Sequence, residues 1–365
     1  MQATSLRGRR YLGRPPRGSS KTAQIRESSL LDCHGDYRRA ASAPPSAFRF
    51  PPAPRPPMEH QFVEWLSRHV KPLPRGAIGI GDDAAVLPWP AASDVVITTD
   101  AISDHVDFEL DATDPQLVGR KALAVNLSDL AAMASRPIAA LVSLVLPRQG
   151  GAGLDCYHLA VELYRGILAL AERHNVAIAG GDTNTCDGPL VVSITALGQP
   201  APGGPLTRRG AQPGDCVLVT GRLGGSILGR HLRFEPRVNE ALRLRERYEL
   251  HAGMDVSDGL ALDASRLAAA SGCGVALRLD AIPISADAEQ LARQSHKSPL
   301  EHALGDGEDF ELLVAAPPDA AQQIVRDQPI DPPVTIIGHC VADAGLWQTD
   351  QRGELRPLAP TGYQH

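Results

Sequence analysis

Acidic side chains placed beside glycines and strand ends recur along this 365-residue chain. The first group is Gly79-Ile80-Gly81-Asp82-Asp83, a glycine turn that lets backbone approach a ligand closely. After the β-type run Asp94–Ile97 come two hydroxyls and a third carboxylate, Thr98-Thr99-Asp100. Asp129 follows within an almost wholly apolar helical stretch, three residues after Asn126 and therefore on the same face. Asp182 sits behind the glycine pair Gly180-Gly181. Asp255-Val256-Ser257-Asp258 and the run Gly307-Glu308-Asp309-Phe310-Glu311 complete the series. Oxygen donors of this kind suit hard cations, and the chemistry they suggest is Mg²⁺ held against nucleotide phosphates.

Each group also has a plainer reading. Asp82-Asp83 fits an Asx turn with solvated acids. Asp100, Ser257 or Asp258 could cap a helix. Asp129 could sit in a buried network with Asn126 or Lys121, Asp182 in a turn, and Glu311 on the surface. What the separate readings leave unexplained is the recurrence. Packed together without cations these carboxylates would repel strongly, and bound metal removes that conflict.

The elements that must position these residues follow from the hydrophobic pattern. Glu59–Val70 reads as a short amphipathic helix, with Phe62, Val63, Leu66 and Val70 on one stripe and Pro72 and Pro74 ending it. Val95–Thr99 is a strand that ends at Thr98-Thr99-Asp100. Asp114-Pro115 opens a helix running to about Ala134, and Pro137 breaks it. Ala139–Leu146 is a buried strand, Leu154–His174 a helix, Val176–Ala179 a strand leading into Gly180-Gly181-Asp182, and Leu190–Leu197 another strand. Pro200–Pro205 is the linker candidate. Beyond it, Asp215–Thr220 is a strand whose glycine turn, 221–226, opens a helix. Residues 234–250 read as a solvated helix. A helix running to Ala270 stops at Gly272 or Gly274, and Val334–Gly338 is a last core strand. Strands alternating with long helices give an α/β or α+β chain. The expected parts are an extension over 1–57, a first domain over 58–204 and a second over 205–365.

Charge divides the chain. Residues 1–57 carry 11 Lys/Arg and 3 Asp/Glu, a balance of +8, while the net charge of the whole is −6. The remainder is therefore acidic, at −14, which argues against nucleic acid as a partner. The Arg/Pro-rich 1–57 segment shows no hydrophobic period and is expected to be disordered. It has the composition of a transit peptide. It also fits upstream translated sequence ahead of a start at Met58, and the organised pattern, which begins right there, favours that. No apolar run approaches the ~18 residues of a membrane span. Six scattered cysteines show neither zinc spacing nor a disulfide framework, so a reducing cytoplasm is expected.

Taken in order, Gly79–Leu87 (GIGDDAAVL), Thr98-Thr99-Asp100, Lys121–Met133 (KALAVNLSDLAAM), Gly180–Thr183 (GGDT), Leu206–Asp215 (LTRRGAQPGD), Asp255–Leu260 (DVSDGL), Gly307–Leu312 (GEDFEL) and Gly362-Tyr363 resemble thiamine-monophosphate kinase. That family lies within the aminoimidazole ribonucleotide synthetase superfamily. The resemblance covers about residues 58–365. It implies a two-domain fold of that superfamily: an N-terminal domain that pairs into a dimeric β-barrel, and a C-terminal α/β domain. It implies ATP-dependent conversion of thiamine monophosphate to thiamine diphosphate, with several Mg²⁺ ions and ATP as co-substrate. By position, Asp83, Thr98, Thr99, Asp100, Asp129, Asp182, Asp255 and Asp258 are the implied Mg²⁺ ligands. Gly181, Asp182, Arg208 and Ser257 are the implied ATP contacts, and Glu308 and Tyr363 contact the thiamine moiety. The family usually has a His before Phe in its substrate loop. Here Asp107-Phe108 stands instead, with His105 two residues earlier, so Asp107 or His105 fills that role. The alternatives are an ATP-dependent cyclo-ligase of the same superfamily and a non-catalytic divalent-cation-binding protein. A general base is not required, because the nucleophile would be an anionic phosphate oxygen.

Overall fold

The computed structural model describes residues 58–71, 89, 94–350 and 352–363. The glycine turn carrying Asp82 and Asp83, the extension 1–57 and the prolines at 72 and 74 lie outside the described residues.

The first half is built on a four-stranded sheet. Its strands are β1 (Val96–Ser103), β2 (Ser135–Pro147), β3 (Ala177–Cys186) and β4 (Val191–Pro200), in the order β1-β4-β2-β3. Helices α1 (Met58–His69), α2 (Pro115–Ala132) and α3 (Cys156–Arg173) accompany it. Asp114 caps α2 by accepting from the Gln116 amide at 2.9 Å, and Pro115 fills the first turn, where no amide donor is needed. Close packing of α2 on α3 requires glycine: a Cβ on Gly119 would lie 1.9 Å from the Leu163 carbonyl oxygen. On α1, Phe62 and Leu66 are buried, Phe62 meeting the Tyr164 ring edge-on at 5.2 Å. Val63, expected on the same stripe, is 37% exposed, because the helix buries only a narrow face against α3.

Three strands run past their expected ends. β1 continues through Asp100 to Ser103, β2 starts at Ser135 and passes through Pro137, and β3 carries Gly180-Gly181-Asp182 onward to Cys186. Cross-strand pairing explains each extension. β1 is paired with β4 along its whole length. The β2–β4 register shifts between Pro137 and Ala139, which accommodates the proline. β3 is held by a parallel ladder to β2. The linker candidate is tethered too: the Ala201 amide donates to the Ala134 carbonyl and the Leu206 amide to that of Met133.

The second half is a seven-stranded sheet. Its strands are β5 (Cys216–Thr220), β6 (Ala252–Asp255), β7 (Gly274–Leu277), β8 (Leu312–Ala316), β9 (Val334–Val341), β10 (Gly345–Thr349) and β11 (Leu355–Pro357). The order is β11-β10-β7-β9-β5-β8-β6, parallel only between β10 and β7. Around it lie α4 (Arg230–Arg233), α5 (Val238–Arg247), α6 (Leu260–Ser271), α7 (Ala286–Ala292), α8 (Pro299–Gly305) and α9 (Pro318–Asp327). The turn after β5 opens no long helix: it leads into a 3₁₀ turn, Ser226–Leu228, and the four-residue α4. α5 is only half solvated, since Val238, Ala241 and Leu244 are buried. α6 stops at Gly272 in the left-handed conformation, φ 70°.

The halves share a core. One face of the large sheet, through Leu218, Leu312, Val314 and Val334, joins α2, α3 and α5 in a single apolar cluster. The other face packs Val217, Val219, Met254 and Leu313 against α6 in a second cluster. α2, buried nearly all round, is thereby pinned between the two sheets, and it presents its few polar residues where they meet.

Candidate active site

A cleft of about 950 Å³ opens at that junction. Asp100 and Asp129 reach it from the first sheet and α2, while Arg208, Asp255, Ser257 and Asp258 reach it from the second half. Strand alternation decides which part of Thr98-Thr99-Asp100 takes part. Thr98 and Asp100 point toward α2, where the Thr98 hydroxyl donates to Asp129 Oδ2 and Asn126 Oδ1 accepts from the Asp100 amide at 3.2 Å. Thr99 points to the opposite face and bonds to Thr195 at 3.0 Å. Asn126 therefore anchors the backbone of β1 rather than the carboxylate of Asp129.

Asp255, at the end of β6, is buried and accepts from the Ser128 hydroxyl at 2.5 Å. Loss of hydration is the largest influence on all three acids. Burial, followed by the Asp129 charge, pushes Asp100 up to about 6 and Asp255 up to about 7, and burial likewise raises Asp129. The Arg208 guanidinium partly offsets this at Asp129 and Asp255. Three partly dehydrated carboxylates with hydroxyls and one arginine form an all-oxygen donor set short of positive charge, which fits a hard divalent cation.

The opposite wall forms around Lys121, whose side chain is 1% exposed. Its ammonium donates to the Asp107 carbonyl at 2.8 Å and pairs with Glu308. Lys121 thus serves this wall and not Asp129. The apolar sequence of α2 predicts its burial, but its partners lie 14 and 187 residues away. Glu308 is held at φ 53° in the turn before β8, and its side chain remains a third exposed to the cleft. Asp107 also lines the cleft, its carboxylate accepting from the Ser103 amide at 2.7 Å. His105 is 71% exposed, pairs with Glu109 and Asp104, and is not among the lining residues. Of the two, Asp107 is the one that lines the cleft. Tyr363 lines the cleft and donates its amide to the Asp258 carbonyl at 2.8 Å.

The other acids near Glu308 have structural tasks. Glu311, expected on the surface, is buried. It receives Arg237 at 2.9 and 2.6 Å and the Thr220 hydroxyl at 2.6 Å. Asp309 accepts from the Gly224 amide and from Arg230 at 2.6 Å, and burial raises it to about 7. Neither Ser257 nor Asp258 caps α6, whose N-cap position is Gly259, with no side-chain cap. Asp258 is instead paired with Arg266, which also holds the buried Asp263.

Asp182 and Gly181 stand apart. The row Ala101–Ser193–Ser143–Asp182 crosses the four strands, so Asp182 shares the outer face with Thr99. Asp100 points to the inner face of β1, at the other edge. With about 4.8 Å per strand, three steps separate β1 from β3 by about 14 Å. Gly181 packs against the β2 backbone: a Cβ there would lie 1.8 Å from the Val142 carbonyl oxygen.

Comparison with known proteins bears on both halves of the chain. The AIR synthase related protein family matches in both halves, its N-terminal domain over residues 81–199 and its C-terminal domain over 212–346. The thiamine-monophosphate kinase of Rhodopirellula baltica is 45% identical over 315 residues, covering 84% of this chain and 97% of its own. The crystal structure of thiamine-monophosphate kinase from Stenotrophomonas maltophilia superposes with a TM-score of 0.67 at 32% identity, over 83% of this chain and 98% of that one. The structure of AaThiL complexed with AMPPCP and TMP aligns with a TM-score of 0.64 at 27% identity, over 84% and 96%.

Proposed function

Because this chain belongs to the thiamine-monophosphate kinase family, we propose that its cleft aligns ATP and thiamine monophosphate for in-line transfer, with the acids of both halves at the phosphate end and the Lys121–Glu308 wall at the thiamine end. The enzyme phosphorylates thiamine monophosphate with ATP, giving thiamine diphosphate. The observation that supports the assignment of ends is that Arg208, whose charge acts on Asp129 and Asp255, and the Lys121–Glu308 pair line one cleft.

The phosphate oxygen of thiamine monophosphate is already anionic near neutral pH, so the chain has to position and neutralise charge rather than remove a proton. Asp100, Asp129 and Asp255, with Thr98, would hold Mg²⁺, and bound there it would neutralise charge on the transferring phosphoryl group. Arg208 adds a fixed positive charge beside Asp129 and Asp255 and can grip a phosphate bidentately. Ser257 offers a hydroxyl to the same phosphates. Glu308 and Asp107 set negative charge opposite the cationic thiazolium, and Tyr363 offers it a ring face. Asp258 joins the cation ligands when Arg266 releases it. Asp83 belongs to the same set by sequence position.

Asp182 and Gly181 would act across a dimer. The four-stranded sheet has two edges, β1 and β3, and its outer face exposes Ile97 and Leu141. Two such sheets closing into a barrel would set β3 of one copy beside β1 of the other. Asp182 and Thr99, both on the outer face, would then meet across the seam and bring Gly181 toward the nucleotide. Mixing an Asp182→Asn variant with an Asp129→Asn variant tests this. Mixed dimers then contain one unaltered site and regain activity that neither parent shows; no recovery after exchange of subunits sinks it. A cytoplasmic location is in keeping with the free thiols of the five described cysteines, and no described helix is long and apolar enough to cross a membrane.

The cyclo-ligase alternative shares the phosphate site and differs in its acceptor. Phosphorus NMR of chain, Mg²⁺ and ATP with thiamine monophosphate separates the two. Diphosphate resonances of a thiamine product with loss of ATP are expected. ATP consumed only with an amide acceptor would overturn the assignment.

A further inference from the structure

Asp255, Asp258 and Asp263 crowd around the start of α6, and Asp263 is fully buried. Arg266 answers their charge. Its Nη1 donates to Asp258 Oδ2 and, at 2.9 Å, to Asp263 Oδ1, one helical turn back. One nitrogen serves both carboxylates. Loss of Asp258 therefore leaves the guanidinium still held, by a partner whose side chain has no exposed surface. The two acids differ in freedom. Asp263 is fixed through both oxygens, because its Oδ2 accepts from the Asp258 amide at 2.9 Å. The Asp258 main chain is fixed by that bond and by the Tyr363 amide, which donates to its carbonyl at 2.8 Å. The Asp258 side chain, 19% exposed, is the part that can turn.

Asp258 and Arg266 line the cleft together with Asp129, Arg208 and Asp255. The charge of Asp263 acts on Asp255, so the guanidinium that Asp263 holds belongs to the phosphate end. A carboxylate oxygen engaged by a guanidinium can take a cation only by giving that partner up. We propose that Arg266 is the resident counter-ion of Asp258, exchanged for Mg²⁺ when the cation binds, and that the released guanidinium, kept in place by Asp263, turns its donors to a phosphate of ATP. The planar fork of arginine suits that second role. Cation and nucleotide binding are linked by this exchange, because the Asp258 carboxylate given to one frees the Arg266 guanidinium for the other. The inference rests on the cation and nucleotide reading of the cleft.

The test uses the full chain and measures binding rather than turnover. Mn²⁺ is titrated alone, with the free ion followed by electron paramagnetic resonance. Arg266→Gln removes the charge and keeps a donor for Asp263, and circular dichroism establishes that it is folded. It is expected to bind Mn²⁺ about 3- to 10-fold more tightly, because a competing, partly solvated ion pair is gone. In an Asp258→Asn background the same change should bring no comparable gain, which separates exchange at Asp258 from a long-range effect of the lost charge. At saturating Mg²⁺, Arg266→Gln should bind a non-hydrolysable ATP analogue about 10-fold more weakly by calorimetry. A purely structural tie would not move metal and nucleotide in opposite directions. Arg266→Lys keeps a cation for Asp263 without the fork and serves where the glutamine variant does not fold; it should lose nucleotide affinity and hold Mn²⁺ as the wild type does. Mn²⁺ binding by folded Arg266→Gln that is equal to or weaker than wild type overturns the exchange, as does an equal gain in the Asp258→Asn background. Unchanged nucleotide affinity in both Arg266 variants overturns the transfer to phosphate. No Mn²⁺ uptake by the wild-type chain overturns the cation reading of the cleft as well.

Discussion

Replacing Asp129 by Asn should move stability and activity in opposite directions. Asp129 is the hub of the acid cluster: it takes the Thr98 hydroxyl, and its charge raises both Asp100 and Asp255. Two unit charges at about 4 Å repel by about 4 kcal/mol at an effective dielectric of about 20. Arg208, solvent and partial sharing of protons reduce this, so the metal-free chain should gain about 1–2 kcal/mol from the neutral isostere. Asn still accepts from Thr98, so no hydrogen bond is lost. For a body of this size that gain is a rise in Tm of about 2–6 °C. Thermal unfolding at pH 8 in EDTA, alongside turnover at saturating Mg²⁺, reads both effects. The expected variant is more stable without metal and loses turnover by orders of magnitude. An Asn variant that is less stable in EDTA would make Asp129 a structural network residue and refute the reasoning.

Three further outcomes follow from the same geometry. Asp100 and Asp255 have folded pKa values near 6 and 7, above the 3.8 of a free Asp. Between about pH 4 and 7 the unfolded chain therefore holds fewer protons, so stability in EDTA should fall as pH rises through that window, and Mg²⁺ should restore it above pH 7; Tm against pH with and without Mg²⁺ checks this. Arg237→Met leaves Glu311 buried without its cation and should cost about 3–5 kcal/mol in urea unfolding, while the kcat of the folded fraction stays near wild type. Lys121→Met frees Glu308 from its anchor and should raise the KM for thiamine monophosphate about 10–100-fold, from the loss of charged hydrogen bonds, with little change in the KM for ATP.

What could be read from the sequence was what local pattern determines. The apolar surroundings of Asp129 signal burial, and the Asp114-Pro115 start of α2 is written in adjacent residues. The fate of Glu311 was not legible: a third acid in Glu308-Asp309-Phe310-Glu311 looks solvated until Arg237, 74 residues away, is placed against it. Alternation within β1 could have separated Thr99 from Thr98 and Asp100 had the strand been followed to Ser103. The placement of Asp182 depends on strand order, because only the sequence β1-β4-β2-β3 puts it at the far edge. Arg266 and Asp263 form a helical i, i+3 pair within α6, but Arg266 also reaches Asp258, eight residues back in the turn before the helix, and no spacing rule points to that.

The central claim is that one cleft, fed with acids from both halves, passes the γ-phosphoryl group of ATP to thiamine monophosphate. Its most direct test follows radiolabel from [γ-³²P]ATP in the full chain and in Asp100→Asn. The account predicts Mg²⁺-dependent label in thiamine diphosphate for the wild-type chain and near-complete loss in the folded variant. Label confined to inorganic phosphate, or undiminished transfer by Asp100→Asn, would contradict it.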